Sequence, residues 1–351
     1  MEQKIKYFDI DFKEKVILID VRTEKEYNES HIPGAHTFPI LSDEERAEVG
    51  TIYKQVCSEQ AKDIAVEYGS KKIPHINKKI KALMEKHGDA KIILYCQRGG
   101  MRSGVLVTFL RSMGYLNVFQ LDGGYKEYRN LVVDYLENSL DKFKFVVLHG
   151  HTGVGKTNIL NSLEDKGYGV LNLERCANNA GSVFGNIVFR DAQPTQKQFE
   201  NKIFRDLVDS QHKFIFVESE SRRIGKVTLP NGVYNKVISE IHILVDTSVD
   251  IRVKNIYGDY LSSNVPSEEL KDPIKLLKKR LGNEGVEKML KLIDAKEYEE
   301  VIRDLMVYYY DPLYIKSIKK YEYLETVTYE DINECVERII DILNDKIKNN
   351  Y

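Results

Sequence analysis

Cys96 closes an apolar run, Ile92-Ile93-Leu94-Tyr95, and opens the stretch Gln97-Arg98-Gly99-Gly100-Met101-Arg102-Ser103. Gly104-Val105-Leu106-Val107 then reads as the start of a helix. A strand that delivers a cysteine into a glycine-rich loop before a helix N-terminus makes a cup for an anion. The loop amides and the positive end of the helix point into that cup. The same field favours the thiolate near neutral pH. Arg102 would add a fork of donors for an oxyanion, with Gly99, Gly100 and Ser103 completing the cradle. The chemistry is that of a nucleophilic sulfur taking a group from a small anionic donor. A lone cysteine at a strand end is more often buried and inert. The glycines, the arginine and the serine at this spacing outweigh that plainer reading.

A second constellation sits in the other half of the chain. The apolar stretch Phe143–Leu148 runs into Gly150-His151-Thr152-Gly153-Val154-Gly155-Lys156-Thr157. This matches the G-x-x-x-x-G-K-[ST] pattern, with a strand before and a helix after. Gly150, Gly153 and Gly155 let successive amides curl around phosphate oxygens. Lys156 places a point charge on the outer phosphates, and the Thr157 hydroxyl can ligand Mg²⁺. Phosphate or diphosphate binding follows; hydrolysis of a nucleotide does not. No tightly bound cofactor is expected. The strand Gly169–Leu173 ends at Glu174, and Lys213–Val217 ends at Glu218. Glu218 stands where a Walker-type carboxylate would hold the metal through water, although glutamate in place of aspartate weakens an ATPase reading. Arg222 lies in the polar loop beyond Glu218, on the side of the strands where open α/β sheets bind ligands. Arg252, after the strand Ile241–Val245, is a candidate to reach the phosphates; a plain surface arginine is equally compatible.

The elements that must position these groups alternate strand with helix. Val16–Ile19 reads as a parallel strand ending at Asp20-Val21-Arg22. Thr23 and Glu26 have capping-box spacing, which predicts a short helix. His31-Ile32-Pro33-Gly34-Ala35-His36 is a tight turn. Leu41–Ile73 reads as a helical insertion with a solvated face, and Lys78–Lys86 as a separate helix stopped by His87-Gly88-Asp89. Val105–Met113 is helical, with Gly114 as its C-cap, and Val118–Leu121 is a further strand. The expected fold class is α/β in two domains: residues 1–137 around the cysteine loop, and residues 138–351 around the phosphate loop with a helical C-terminal part. Lys275, Lys278, Lys279 and Arg280 form a basic run that reads as a solvated face or a contact to RNA phosphates. Tyr308-Tyr309-Tyr310-Asp311-Pro312-Leu313-Tyr314 reads as core and turn before it reads as a base-stacking platform. Ile332, Val336, Ile339, Ile340 and Leu343 fit one face of a helix.

Composition bounds the function. The 351 residues carry 52 Lys and Arg against 54 Asp and Glu, a formal charge of −2, so a nucleic-acid partner would need a local patch. Cys57, Cys96, Cys176 and Cys335 lack CxxC spacing, so neither a disulfide framework nor a zinc site is expected. No apolar run approaches the ~18 residues of a membrane span. Met1-Glu2-Gln3-Lys4 has no apolar leader, and a reducing cytoplasmic compartment is expected, which suits a thiolate.

Asp20-Val21-Arg22, Glu26-Tyr27, His31-Ile32-Pro33-Gly34-Ala35, the Cys96 loop and Leu121-Asp122-Gly123-Gly124-Tyr125 together resemble the rhodanese fold. The resemblance implies that Cys96 carries a persulfide or perselenide, that Gly99, Gly100, Arg102 and Ser103 form its cradle, and that Asp20 and Arg22 are framework residues. Plain sulfurtransferases usually place four residues between Cys and Arg; here there are five, as in Cdc25-type and arsenate-reducing relatives. Tyr95 in place of histidine and the lack of an evident general acid weigh against a phosphatase.

A rhodanese-like domain followed by a P-loop domain is similar to the bacterial tRNA 2-selenouridine synthase family. SDEERAEVGTIYKQ, YCQRGGMRSG, the stretch from Leu173 to Gly185, Gln193–Asn201, Glu218–Arg222 and Tyr309–Tyr314 carry that resemblance over nearly the whole chain. It implies replacement of the 2-sulfur of a wobble 2-thiouridine in tRNA by selenium. Selenophosphate and geranyl diphosphate would be substrates, through an S-geranylated intermediate, and the tRNA anticodon region would be the partner. Cys96 would then handle selenium and the Gly150–Thr157 loop the diphosphate. Two departures stand out: Gln97 where the family usually has tryptophan, and Asn179-Ala180 where it usually has His-Arg. The alternatives are a sulfurtransferase or oxyanion enzyme fused to a nucleotide-dependent kinase, and a non-enzymatic P-loop tRNA-binding module.

Overall fold

The computed structural model describes residues 3–179, 192–262 and 267–348. The chain forms two compact units, Met1–Tyr135 with Glu200–Lys202, and Leu136–Phe199 with Ile203–Tyr351.

The first unit is built on a five-stranded parallel sheet. In chain order its elements are β1 (Lys4–Ile5), β2 (Val16–Asp20), α1 (Glu24–Glu29), β3 (His36–Thr37), α2 (Asp43–Gln55), α3 (Ser58–His87), β4 (Lys91–Tyr95), α4 (Met101–Ser112), β5 (Val118–Leu121) and α5 (Gly124–Asn138). The sheet order is β1-β5-β4-β2-β3. Central strands covered on both faces read as continuous apolar runs, as VILI of β2 and IILY of β4 do. Side chains alternate between faces along a strand. Ile92 and Leu94 therefore point into the same cluster as Ile17 and Ile19, and Cys96, one residue past the strand, continues that face. Thr23 and Glu26 form the expected capping box at the start of α1.

Two expectations change here. The insertion and the helix after it are not separate, because α3 is one helix of 30 residues that continues through Pro74. A helix tolerates an exposed proline where its apolar face stays packed on either side. Ile76 and Ile80 are buried there, with Ile73, Leu83 and Met84 packed beside them. At the end of α4 the C-cap is Met113, and Gly114, at φ +94°, is the residue after it.

The second unit repeats the parallel design. Its named elements are β6 (Lys144–His149), α6 (Lys156–Asp165), β7 (Gly169–Leu171), α7 (Leu173–Ala177), β8 (Phe214–Glu218), β9 (Ile241–Asp246), α8 (Val249–Ser262), α9 (Asp311–Ile318), β10 (Glu325–Thr328) and α10 (Ile332–Ile342). The sheet order is β10-β9-β6-β8-β7, all parallel. The strand before the phosphate loop, β6, thus lies between β8, which ends at Glu218, and β9. Leu173 and Glu174 belong to α7 rather than to the strand before it, because Asn172 caps that helix by accepting from the Arg175 N–H. The apolar face expected at the C-terminus is present: Val336, Ile339, Ile340 and Leu343 are buried against the sheet cluster. The basic run falls on two helices, Ser267–Leu276 and Lys278–Asp294, with Leu277 between them. In the tyrosine-rich stretch Tyr310 is buried and Tyr308 exposed.

Candidate functional site: a cysteine cup and a phosphate loop

Cys96 is only 3% exposed and belongs to the buried cluster of the sheet. It borders a cavity of about 870 Å³ together with Gln97, Arg98, Gly100 and Arg102. The Ser103 hydroxyl donates to Cys96 Sγ at 3.2 Å. Gln120 on β5 steadies that serine: its Nε2 donates to Ser103 Oγ and to the Gly100 carbonyl, both at 2.9 Å. The Gln97–Ser103 N–H groups meet no acceptor among the described residues, whereas Gly104 N–H closes on the Gly100 carbonyl. A run of unsatisfied amides at a helix N-terminus is an anion cradle. Gly99 is needed for close approach: its φ is +56°, and a Cβ there would sit 2.7 Å from the Leu121 carbonyl oxygen.

Arg102 departs from expectation. Rather than standing ready for an oxyanion, its guanidinium pairs with Glu26 of α1, Nη1 to Oε2 at 2.7 Å. Burial works to raise the Glu26 carboxyl, but the hydrogen bond and charge of Arg102 outweigh it and hold it below the ordinary range. An incoming oxyanion must share or displace that carboxylate.

Asp20 and Arg22 sit beside the loop as a buried pair, Nη2 to Oδ2 at 2.6 Å. Arg22 also donates to the Ser30 carbonyl and lies 3.8 Å over the Tyr125 ring. Its remaining nitrogen donates to Gln97 Oε1 at 3.3 Å, so Gln97 is tied to the framework through its amide. Removing one partner of a buried pair leaves an uncompensated charge. Arg22→Met is expected to cost about 3–5 kcal/mol in urea unfolding. A loss within ~0.5 kcal/mol, the range of ordinary surface substitutions, would contradict this reading.

In the second unit the loop between β6 and α6 bends as the glycines require: Gly150, Gly153 and Gly155 have φ of 157°, 80° and 73°. The N–H groups of Gly153, Gly155, Lys156 and Thr157 meet no acceptor among the described residues. Lys156 Nζ touches only the Gly150 carbonyl, at 3.4 Å, and enters no ion pair among the described residues. The Thr157 hydroxyl donates to Glu174 Oε2 at 3.1 Å, and the Glu174 N–H donates to Glu218 Oε1 at 2.7 Å. Glu218 Oε2 is buried with no partner. Arg252 is not aimed at phosphates. It is buried, with Nε donating to the Thr152 carbonyl at 2.9 Å and its fork paired with Asp311 at 2.6 and 3.0 Å. It braces the loop from behind. Arg222 is exposed and engaged by Asn231 and the Tyr234 ring.

The two halves match two known domain families. Residues 143–345 match the model of the tRNA 2-selenouridine synthase AAA domain, and residues 9–131 that of the rhodanese-like domain. A tRNA 2-selenouridine synthase of Nitrosomonas europaea is 31% identical over 86% of this chain and 89% of its own length. One of Bdellovibrio bacteriovorus is 29% identical over 88% of this chain and 90% of its own. The chain belongs to the tRNA 2-selenouridine synthase family. Both of its named domain types, the rhodanese-like and the AAA, are thus present as parallel-sheet units, and its relatives are enzymes.

Within that family pattern, Ala180 and Gly181–Gly185 lie outside the described residues, while Asn179 is buried, its N–H donating to the Glu174 carbonyl. Several contacts around the sites carry no local sequence signal. Gln120 and Glu26 act through partners 17 and 76 positions away. His149 and His242 form a buried pair, Nε2 to Nδ1 at 2.9 Å, against the Tyr321 ring. Burial and then His242 push His149 down to about 3, so it is neutral.

Burial, and then the charge of Glu174, push Glu218 up to about 8. In the window between the ordinary carboxylate range and pH 8 the folded protein holds a proton that the unfolded chain has lost. Stability contributed by the neutral form is therefore lost as pH rises through that window. Glu218→Gln cannot ionise. Thermal melts in chelator should show the wild type losing ground against this variant from pH 5 to pH 8.5; a constant difference would refute the assignment.

Proposed function

We propose that this enzyme replaces the 2-sulfur of a wobble 2-thiouridine in tRNA with selenium from selenophosphate, through an S-geranyl-2-thiouridine made from geranyl diphosphate. The observation that carries the reading is a pair of anion cradles of different chemistry in one chain of this family. One is a cysteine loop whose seven N–H groups from Gln97 to Ser103 meet no acceptor among the described residues; the other is a phosphate loop with an uncommitted lysine.

In this reading the oxygens of selenophosphate sit on the Gln97–Ser103 amides; the Cys96 thiolate displaces geranylthiolate from C2 of the base, the selenide-level selenium of selenophosphate then displaces Cys96 from C2, and water takes the phosphoryl group as phosphate. Ser103 donates toward the Cys96 sulfur and Gln120 keeps the serine in place. The diphosphate of geranyl diphosphate sits on the amides of Gly153, Gly155, Lys156 and Thr157, with Lys156 stabilising the charge that grows as the carbon–oxygen bond to diphosphate breaks. The thiouridine sulfur is the acceptor of the geranyl group. No cluster of three or more His, Cys, Asp or Glu among the described residues could hold a metal by itself. Magnesium, however, takes few protein ligands beside substrate phosphates. The unpartnered Glu218 Oε2 and the Thr157 hydroxyl fit that role and would hold Mg²⁺, which would neutralise charge on the departing diphosphate. The tRNA partner meets the protein through its anticodon region. No helix among the described residues is long and apolar enough to cross a membrane.

The test is direct. Purified protein with selenophosphate, geranyl diphosphate and 2-thiouridine-containing tRNA should place selenium-75 in the RNA. ATP turnover without selenium incorporation would overturn the proposal in favour of a kinase.

A further inference from the structure

The insertion between β3 and β4 leaves an unfilled space. Helix α2 buries none of its 13 residues, and the α3 stretch facing it buries only Ala61 and Gly69. Small side chains line the gap: Ala47 and Gly50 from α2, and Ala61, Ala65 and Gly69 from α3. This is the cavity of about 870 Å³ that reaches Cys96, and it lies within the about 300–1,000 Å³ range of small-molecule sites. Its walls are mostly apolar. Four large apolar side chains that border it, Tyr53, Val66, Met101 and Val105, are exposed rather than packed. An apolar patch of this kind around a concavity marks a ligand surface. Arg46, Lys54 and Arg98 also border the cavity and enter no ion pair among the described residues. The whole surface is therefore apolar inside and cationic at intervals, and it extends to Cys96.

We propose that this chamber takes an aliphatic chain of isoprenoid size borne on the sulfur of an anionic nucleotide. The chain lies between α2 and α3, the alkylated sulfur meets Cys96, and the phosphodiester backbone is met by the lysine and arginines. The proposal rests on the S-geranyl reading of the function, and assigns the alkyl group a seat in the cysteine unit as well as at the phosphate loop. Neither selenophosphate nor a plain thiouridine would need these apolar walls. The small residues Ala47 and Ala65 are the specificity determinants, because each sets how much of the chain fits.

Two measurements test it. In a Cys57→Ser background, methyl and octyl methanethiosulfonate are compared for the rate at which each labels Cys96, read by peptide mass. The octyl reagent should react at least tenfold faster, and Ala65→Phe or Ala47→Phe should each bring the octyl-to-methyl ratio close to one. An equal rate for both reagents in the parent, or a ratio untouched by both bulky variants, overturns the chamber. Selenium-75 transfer is then compared on anticodon stem-loops carrying S-methyl- or S-geranyl-2-thiouridine. A geranyl preference that Ala65→Phe removes supports the assignment. A chain-length effect in labelling with no selenium transfer to either RNA would refute the tRNA reading, and with it the assigned occupant, while leaving an apolar-chain site. Equal labelling with intact transfer would refute the chamber alone.

Discussion

Cys96→Ser is expected to lose selenium transfer by a factor on the order of 10³ or more, with geranyl transfer left near the wild-type rate. A serine hydroxyl is not ionised near neutral pH, and removing a reacting nucleophile is among the costliest single changes known in enzymes. The substitution is close to isosteric. Ser103 can still donate to an oxygen where it now donates to sulfur at 3.2 Å, and the open amides of Gln97–Ser103 are unchanged. The cradle should therefore still bind the oxyanion while chemistry stops, so the loss falls in kcat more than in KM. Liquid-chromatographic analysis of tRNA nucleosides checks both halves: S-geranyl-2-thiouridine should accumulate where 2-selenouridine disappears. A variant that still incorporates selenium would remove Cys96 from the reaction.

The second large effect is at Lys156. Lys156→Ala is expected to lower geranyl transfer by about 10²–10³-fold, the usual cost of deleting one donor to charge that develops in the transition state. The structure singles out this lysine among the nearby cations. Arg252 is spent on Asp311 and the Thr152 carbonyl, whereas the Lys156 ammonium has only the Gly150 carbonyl at 3.4 Å. Thr157→Ala should do less at low Mg²⁺ and more at saturating Mg²⁺, because its hydroxyl now donates to Glu174 and must turn toward the ion. Rates measured with geranyl diphosphate and thiouridine-containing RNA check these orders. Unchanged geranyl transfer in Lys156→Ala would contradict the role of the loop.

The parts of this architecture that were legible in the sequence are those fixed by local backbone chemistry. Glycines at 150, 153 and 155 announce a phosphate loop because only that spacing lets consecutive amides turn inward. The strand-to-cysteine-to-helix order of residues 92–107 announces the cup for the same reason, and Thr23 with Glu26 announces a capped helix. What local spacing could not show was the pairing of charges across the fold. Arg102 and Arg252 both looked free to meet an anion; Glu26 and Asp311, remote in sequence, hold them. The stretches 41–73 and 78–86 read as two pieces, because the packing of Ile76 and Ile80 that joins them into one helix is a tertiary fact. The chamber was the least legible feature. Alanines and glycines on a charged amphipathic helix read as a solvated face, and only the crossing of α2 and α3 shows that they enclose space.

The division of labour between the two cradles has one decisive measurement. Wild type, Cys96→Ser and Lys156→Ala are each given selenium-75 selenophosphate and an anticodon stem-loop that already carries S-geranyl-2-thiouridine. The phosphate loop is then bypassed, so Lys156→Ala should load selenium at the wild-type rate while Cys96→Ser should load none. Selenium transfer by Cys96→Ser, or its absence in Lys156→Ala on the pre-geranylated RNA, would contradict the account.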